Sequence, residues 1–265
     1  NEAAGFGASD AVAGVKVAFT AAEAASTINV NAAMDDVITT NKIGAATFNF
    51  AEAVGATNGT IATTAATSLT LNATKALART TAEATDDKLT SVTVTGSDAV
   101  TLTNIGAANT NALASVVVSA AKAVSLGTIG SDSTKLATVT VSNTTGTSAV
   151  GTIGATTNAE VLTASVTSAG AITGGGVDST KLGDVTFTST GGAASTGAIG
   201  SSATQIGNVT VSTKGDATLG LIGNATAAAT AVGTISVTST TGNVKLADTN
   251  SIDVKDATGL TVNLT

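Results

Sequence analysis

Residues 113–130 read LASVVVSAAKAVSLGTIG, and residues 136–154 read LATVTVSNTTGTSAVGTIG. In both stretches aliphatic residues flank a single residue, first as Val116 and Val118 and then as Val139 and Val141. Both stretches end on the same tetrapeptide, Gly-Thr-Ile-Gly. The side chains of a β-strand point alternately to opposite faces, so this period of two predicts strands with one apolar face, separated by turns.

The alternating pair recurs along nearly the whole chain, with first members 20 to 26 residues apart and about 23 on average. From Leu89 onward an aliphatic residue precedes each pair by three positions, and a weaker second strand ending in Ile-Gly follows in most units. The pairs are Ile28/Val30, Phe48/Phe50, Leu69/Leu71, Val92/Val94, Val116/Val118, Val139/Val141, Ala164/Val166, Val185/Phe187, Val209/Val211, Ile235/Val237 and Leu260/Val262. Such a repeat indicates a stacked architecture.

A unit of this length is typical of one coil of a parallel β-helix, in which equivalent residues of successive coils stack. We therefore expect an all-β fold, a right-handed parallel β-helix (β-solenoid) with coils of about 23 residues. Tandem β-sandwich domains are the alternative, because strands at this spacing also suit hairpins. The regularity of the repeats predicts an N-terminal cap or assembly segment at 1–27, irregular β repeats at 28–88 and regular solenoid repeats at 89–265.

The composition excludes most kinds of active site. The chain has no His and no Cys, which removes imidazole and thiolate as nucleophiles, proton shuttles and zinc ligands. Its 18 acidic and 11 basic residues give a net charge of -7, and no basic stripe could neutralise phosphates. Every apolar run is too short to span a bilayer. We expect a protein that is not an enzyme, has no cofactor, binds no nucleic acid and has no membrane span.

The aspartates in the turns are candidates for binding calcium, but their spacing fits neither the calcium β-roll nor the EF-hand. Aspartate that bonds its own backbone in a turn is the simpler interpretation. A paired-carboxylate glycosidase site is disfavoured by the lack of Trp and Tyr as sugar platforms. We therefore predict no metal site and no catalytic residue. The carboxylates that could still bridge a cation are Asp35 with Asp36, Asp86 with Asp87, and Asp253 with Asp256.

The outward positions of the first strand form the most regular surface pattern. Six of seven consecutive units carry two hydroxyls there. Thr is favoured on wet strand faces, and a flat Thr ladder is also the surface of β-helical ice-binding proteins. Ser substitutions and unequal repeat lengths predict an irregular grid. The residues are Thr93/Thr95, Val117/Ser119, Thr140/Ser142, Ser165/Thr167, Thr186/Thr188, Thr210/Ser212 and Ser236/Thr238.

Six asparagines lie in Asn-x-Ser/Thr sequons and are candidate glycosylation sites. A chain rich in Asn and Thr also produces sequons by composition alone. The six are Asn58, Asn72, Asn143, Asn208, Asn224 and Asn263.

With Val-Thr-Val-Thr strands and Gly-Thr-Ile-Gly turns in an acidic, Cys-free chain rich in Ala and Thr, the sequence resembles the β-strand-repeat regions of bacterial surface-layer proteins. Related filament proteins, adhesins and autotransporter passengers share this style. The resemblance implies an extracellular or cell-surface location and a structural subunit that assembles with itself. An adhesin-like passenger that binds cell-surface glycans and an ice-binding solenoid are the alternatives.

The last apolar residues suggest where assembly occurs. Leu260, Val262 and Leu264 lie almost at the end of the sequence, so we expect their strand to present an open edge. Open edges template pairing with another chain. We predict that residues 1–27 of a neighbouring subunit complete this edge, and such head-to-tail contacts propagate into fibres.

Overall fold

The structure is a computed structural model. It describes residues 4–6, 17–18, 23–30, 38–39, 42–55, 61–62, 65–81, 88–106, 112–155, 161–223, 231–246, 252–253 and 261–265. Within these ranges the chain forms strands and turns and contains no helix. Consequently none of the described segments offers a helix long and apolar enough to cross a membrane.

The strands are short and follow one another throughout the described ranges. Those up to residue 154 are β1 Ala4–Phe6, β2 Val17–Ala18, β3 Glu23–Val30, β4 Ile38–Thr39, β5 Ile43–Phe50, β6 Ile61–Ala62, β7 Ser68–Ala73, β8 Leu77–Thr81, β9 Ser91–Gly96, β10 Val100–Ile105, β11 Ser115–Ala120, β12 Val124–Ile129, β13 Thr138–Asn143, β14 Ser148–Val150 and β15 Ile153–Gly154. The later ones are β16 Val161–Ser168, β17 Ile172–Gly174, β18 Val177–Asp178, β19 Lys181–Ser189, β20 Ala194–Ser195, β21 Gln205–Ile206, β22 Val209–Thr213, β23 Ala217–Leu219, β24 Ile222–Gly223, β25 Ala231–Val232, β26 Thr234–Ser239, β27 Val244–Leu246, β28 Ile252–Asp253 and β29 Thr261–Leu264.

These strands form a parallel β-solenoid, as the sequence predicts. The first sheet runs in the order β1-β3-β5-β7-β9-β11-β13-β16-β19-β22-β26-β29, and in addition β21 pairs with β19 and β25 pairs with β21. A second sheet stacks the later strand of each coil from β8 to β27. Equivalent residues of the first sheet are about 24 positions apart. Twelve rungs about 4.8 Å apart make a rod roughly 50 Å long.

The stacked core is the feature that the repeat predicts most directly. Val92 pairs with Val116 and Val116 with Val139. Two rungs further on, Val185 pairs with Val209. All five side chains are fully buried in one hydrophobic cluster that extends along the described coils. The predicted equivalence of these valines is therefore confirmed.

Three of the predicted pairs are displaced by one inward position from the common column, namely Ile28/Val30, Phe48/Phe50 and Leu260/Val262. Leu69 pairs with Ala46, and Leu71 with Phe48, so the earlier alignment of Phe48 with Leu69 is wrong. At the other end Ile235 pairs with Val262, and not with Leu260. Both shifts are of two residues. A shift of two keeps the same side chains on the inner face, so the alternation alone does not reveal it.

The Ile-Gly motif forms a corner after the second strand. Ile105 pairs with Ile129 and Ile129 with Ile153, all buried, which stacks an isoleucine ladder at this corner. The glycine that follows takes a positive φ, for example 66° at Gly130, where an L side chain would be strained. The coil without an Ile-Gly motif uses Val177, which pairs with Ile153.

Threonines in the turns explain part of the unusual Thr content. The hydroxyl of Thr74 donates to the carbonyl of Ala51 in the preceding coil at 2.9 Å. Thr144 donates to Ala121 at 2.9 Å in the same way. Such bonds satisfy carbonyls that the strand ladder leaves unpaired. Thr in this protein therefore joins coils as well as covering strand faces.

One inward column changes from apolar to polar along the rod. It begins with Phe50, Ala73, Gly96 and Ala120 and continues with the buried Asn143. The Asn143 amide nitrogen donates to Ser148 Oγ at 2.9 Å, and its oxygen accepts from the backbone N–H of Ala169 at 2.9 Å. These bonds offset the cost of burying the amide.

Arg79 is the one charged side chain among the described residues that lies deep in the core. It occupies an inward position beside Leu102 and is only 1% exposed. Burial removes water from the guanidinium and lowers the pKa of Arg79 to about 10. At neutral pH the guanidinium is still charged, so its burial lowers the free energy of unfolding. This destabilisation diminishes only as the pH rises above about 10.

We expect Arg79→Leu to raise the free energy of unfolding by about 2 kcal/mol, because apolar residues often stabilise a core position that held a buried charge. The measurement is urea denaturation at pH 7. As a control, Lys75→Leu removes an exposed charge and is expected to change stability by less than about 0.5 kcal/mol. A less stable Arg79→Leu protein would show that the guanidinium makes net favourable contacts.

The predicted N-terminal segment is described only at residues 4–6, 17–18 and 23–27. Its strand β1 pairs with β3 and so extends the first sheet of its own chain. The domain boundaries at 27 and 88 and the right-handed sense of the coil stay predictions.

Candidate functional site on the outward face of the first sheet

The outward side of the first sheet carries a continuous column of small polar residues. Each member pairs with the next in register along eleven rungs, and most are half-buried by their neighbours. The column is Thr27, Thr47, Thr70, Thr93, Val117, Thr140, Ser165, Thr186, Thr210, Ser236 and Asn263.

A second column lies two residues further along each strand and therefore points to the same side. It consists of Asn29, Asn49, Asn72, Thr95, Ser119, Ser142, Thr167, Thr188, Ser212 and Thr238. We call the two columns together the ladder face.

An amide ladder orders the N-terminal part of the ladder face. The amide nitrogen of Asn49 donates to the Oδ1 of Asn29 at 2.8 Å, and that of Asn72 to the Oδ1 of Asn49 at 2.9 Å. Each bond joins neighbouring coils. Stacked amides of this kind hold the side chains in one orientation and oppose slippage between rungs.

The ladder face carries no charge. Of its 21 positions, 20 have a hydroxyl or an amide and the remaining one is Val117. Such groups hydrogen-bond weakly and in either direction. The face therefore offers a partner many small hydrogen-bonding contacts.

The register of the ladder face is unbroken although the coils differ in length. Val166 and Phe187 are 21 residues apart, whereas Val211 and Val237 are 26 apart, yet each pair is directly in register. The differences in length fall between the strands of this sheet. We expected the unequal repeat lengths to make the grid of outward hydroxyl groups irregular. For the register between rungs, this expectation is wrong.

Sequence reasoning recovered the hydroxyl rungs from Thr93 to Thr238 but missed the three rungs before them. Those rungs carry Asn29, Asn49 and Asn72 in the second column, and a search for paired hydroxyls passes over an amide. The signal that could have found them is the recurring Thr-x-Asn, which occurs at Thr27, Thr47 and Thr70.

Two ion pairs lie away from the ladder face. Lys122 Nζ lies 2.8 Å from Asp98 Oδ2, and Lys245 Nζ lies 3.6 Å from Asp216 Oδ2. The hydrogen bond from Lys122 holds the pKa of Asp98 below its ordinary value. A bond from the backbone N–H of Asn243 does so for Asp216. Both carboxylates are exposed to solvent, so these pairs add little to stability.

The candidate glycosylation sites differ in their exposure to solvent. Asn72 is half-buried in the amide ladder, while Asn208 and Asn263 are exposed. Asn143 is only 6% exposed, and its amide nitrogen is bonded to Ser148. Folding therefore opposes attachment of a sugar at Asn143. Asn58 and Asn224 lie outside the described residues.

The predicted assembly edge is described in part. Val262 and Leu264 lie on β29, which pairs with β26, and they are 39% and 47% exposed. Leu260 lies outside the described residues. Pairing between this edge and residues 1–27 of a second copy stays a prediction.

No group of three or more acidic side chains that could hold a metal occurs in the described ranges. Asp35, Asp36, Asp86, Asp87 and Asp256 lie outside those ranges, and Asp253 is described only by its backbone. Asp178 is the most buried aspartate described, and its carboxylate accepts from Ser201 Oγ at 3.0 Å and from the backbone N–H of Ser202 at 2.9 Å. Both partners belong to the next coil, so Asp178 joins two coils and does not bond its own turn.

We expect chelation of divalent ions to leave the thermal stability unchanged, because no turn has the ligand spacing of a calcium loop. The measurement is the melting temperature by circular dichroism with and without EDTA at constant ionic strength. A large drop on chelation that added calcium reverses would show that the aspartates bind calcium.

No protein-family model, curated protein or solved structure matches the chain. A function for the chain is therefore inferred from its residues and its fold. The resemblance to surface-layer repeats stays a prediction from rhythm and composition.

Proposed function

We propose that the chain is a non-catalytic, self-assembling structural element of an extracellular bacterial surface layer or filament. The observation that carries the proposal is the ladder face, an uncharged surface with one register along eleven rungs of a rigid rod. A long periodic surface favours association through many weak contacts. It has the geometry of a building element and lacks the concave pocket typical of small-molecule sites.

The composition and the core support the same proposal. A chain without His or Cys has few means of catalysis. Its parallel strands form one continuous core, so that each coil is stabilised by its neighbours along the rod. The resemblance to surface-layer repeats supports the extracellular location.

The proposal predicts association that depends on concentration. Sedimentation velocity over a wide range of protein concentration should show a shift from monomers to larger species, and negative-stain electron microscopy of the concentrated sample should show filaments or sheets. A protein that remained monomeric throughout would contradict the proposal. Hydrolysis of a cell-wall polysaccharide by the purified chain would contradict its non-catalytic part.

Binding to ice is a second candidate function, favoured by the unbroken register of the ladder face. The two functions differ in a simple assay. An ice-binding protein would shape ice crystals while monomeric, whereas a building element would assemble and leave ice growth unchanged.

A further inference from the structure

We infer that the ladder face is the contact between two copies of this chain, packed face to face. The inference rests on the proposed self-assembly and adds to it the surface, the partner and the central residue. Three observations support a second copy as the partner: the distribution of charge, the area of the face and the regular spacing of its hydroxyl and amide groups.

The distribution of charge permits contact between two copies through this face. Each copy carries a net charge of -7, so two copies repel each other unless their carboxylates stay apart or are screened. Asp184, an exposed residue of β19, borders the face two residues before Thr186. The ladder face itself holds no charged residue, and Asp98, Lys122 and Asp216 lie in the turns. Face-to-face contact therefore sets an uncharged surface against an uncharged surface.

The area of the ladder face matches a specific interface. Eleven rungs about 4.8 Å apart span roughly 50 Å, and two columns that are each about 7 Å wide form a strip about 14 Å across, so the face covers on the order of 700 Å² per copy. Stable complexes bury about 800 Å² per partner. Contact over the full length is thus sufficient, whereas contact over a few rungs is not.

The ladder geometry provides complementarity without a pocket. Two identical faces share the same spacing between rungs, so each hydroxyl or amide of one copy finds a partner at the same period on the other. The Asn29, Asn49 and Asn72 amides are already ordered by their own bonds. Ordering them on contact therefore costs little conformational entropy.

Symmetry identifies the residue at the centre. Thr140 is on the sixth of the eleven rungs. A two-fold axis in the plane of a fully overlapped contact brings this rung against itself, whether the rods are parallel or antiparallel. In an antiparallel pair Thr140 of one copy then lies opposite Thr140 of the other, and in a parallel pair it lies opposite Ser142 of the same rung.

The first test places charge on the face. The double variant Thr140→Glu/Thr186→Glu puts two carboxylates on outward positions two rungs apart. Ser125→Glu/Thr173→Glu is the matched control, with the same charge and the same two-rung separation on the exposed side of the second sheet. Circular dichroism verifies that both variants fold. Sedimentation measures association.

We expect the face variant to weaken association about tenfold or more, since like charges would meet in the contact, and the control to associate like the wild type. Association of the wild type should strengthen with added salt, because salt screens the repulsion between acidic copies. If face variant, control and wild type associate equally, the contact lies elsewhere and the inference fails while self-assembly stands.

A wild-type chain that stays monomeric would overturn both the assembly and the inference, and a monomer that shapes ice would favour the second candidate function.

A second test uses the absence of native cysteine. Thr140→Cys should cross-link into dimers with a short bismaleimide much faster than Ser125→Cys at the same concentration. Equal rates for the two variants would overturn the central placement of Thr140.

Discussion

Leu126→Asp is expected to lower the free energy of unfolding by about 4 kcal/mol or more, since it leaves an unpaired carboxylate in the core. Leu126 is buried and stacks between Leu102 and Val150 in the neighbouring coils. In the same inward column the nearest described cation is Arg79, which pairs with Leu102 and so lies two rungs, about 10 Å, from Leu126. A carboxylate at this position must either stay charged without a partner or become protonated, and both options destabilise the folded chain.

The adjacent Ser125 is a matched control. It lies on the same strand but points outward and is exposed. Ser125→Asp should therefore change stability by no more than about 0.5 kcal/mol. Urea denaturation followed by circular dichroism measures both variants. Equal losses for the two would show that the inward and outward assignments of the second sheet are wrong.

The loss in Leu126→Asp should also be local. In a solenoid each coil contacts only its neighbours, so a defect weakens adjacent coils first. Hydrogen exchange should speed up most in β10 and β14, which pair with β12. The distant β22 and β26 should exchange as in the wild type. Uniform acceleration would indicate that the rod unfolds as one cooperative unit.

The second large effect is expected at a stack of glycines after the second strand. Gly151 lies so close to the preceding coil that an added Cβ would be 2.5 Å from the carbonyl oxygen of Gly127 and 2.6 Å from its carbonyl carbon. Backbone atoms cannot move aside as a flexible side chain can. Gly151→Ala therefore requires the coils to separate, and we expect a loss of about 3 kcal/mol.

Gly55→Ala is the control for this substitution. An added Cβ at Gly55 would have no neighbour within 4 Å. This variant should be neutral or slightly more stable, because alanine restricts the unfolded chain more than glycine does. The measurement is the denaturation midpoint of each variant. A neutral Gly151→Ala would show that the coils are further apart at this corner than the structure places them.

The same close approach recurs from coil to coil. The glycines that each meet the backbone of the preceding coil here are Gly127, Gly151, Gly175, Gly197 and Gly220. In the sequence these residues look like ordinary turn glycines. Their role depends on the separation of two coils, which no single repeat contains.

The period and the faces of the strands followed from the sequence by itself. Alternation at Val116/Val118 and Val139/Val141 determines which side chains lie inward, since a strand has no other way to bury every second residue. Repetition of that pattern, with small aliphatic residues and no Trp or Tyr, was enough to predict a stacked parallel solenoid. The hydroxyl rungs of the ladder face followed from the same alternation.

Register was decided only by the tertiary structure, because patterns of period two are unchanged by a shift of two residues. Pairing Phe48 with Leu69 buries apolar residues as well as pairing it with Leu71 does. Only the second register aligns Asn49 with Asn72 and allows the amide bond between them. The burial of Asn143 and of Arg79 likewise depends on contacts between coils, since Ala169, which bonds Asn143, and Leu102, which lies beside Arg79, belong to other repeats.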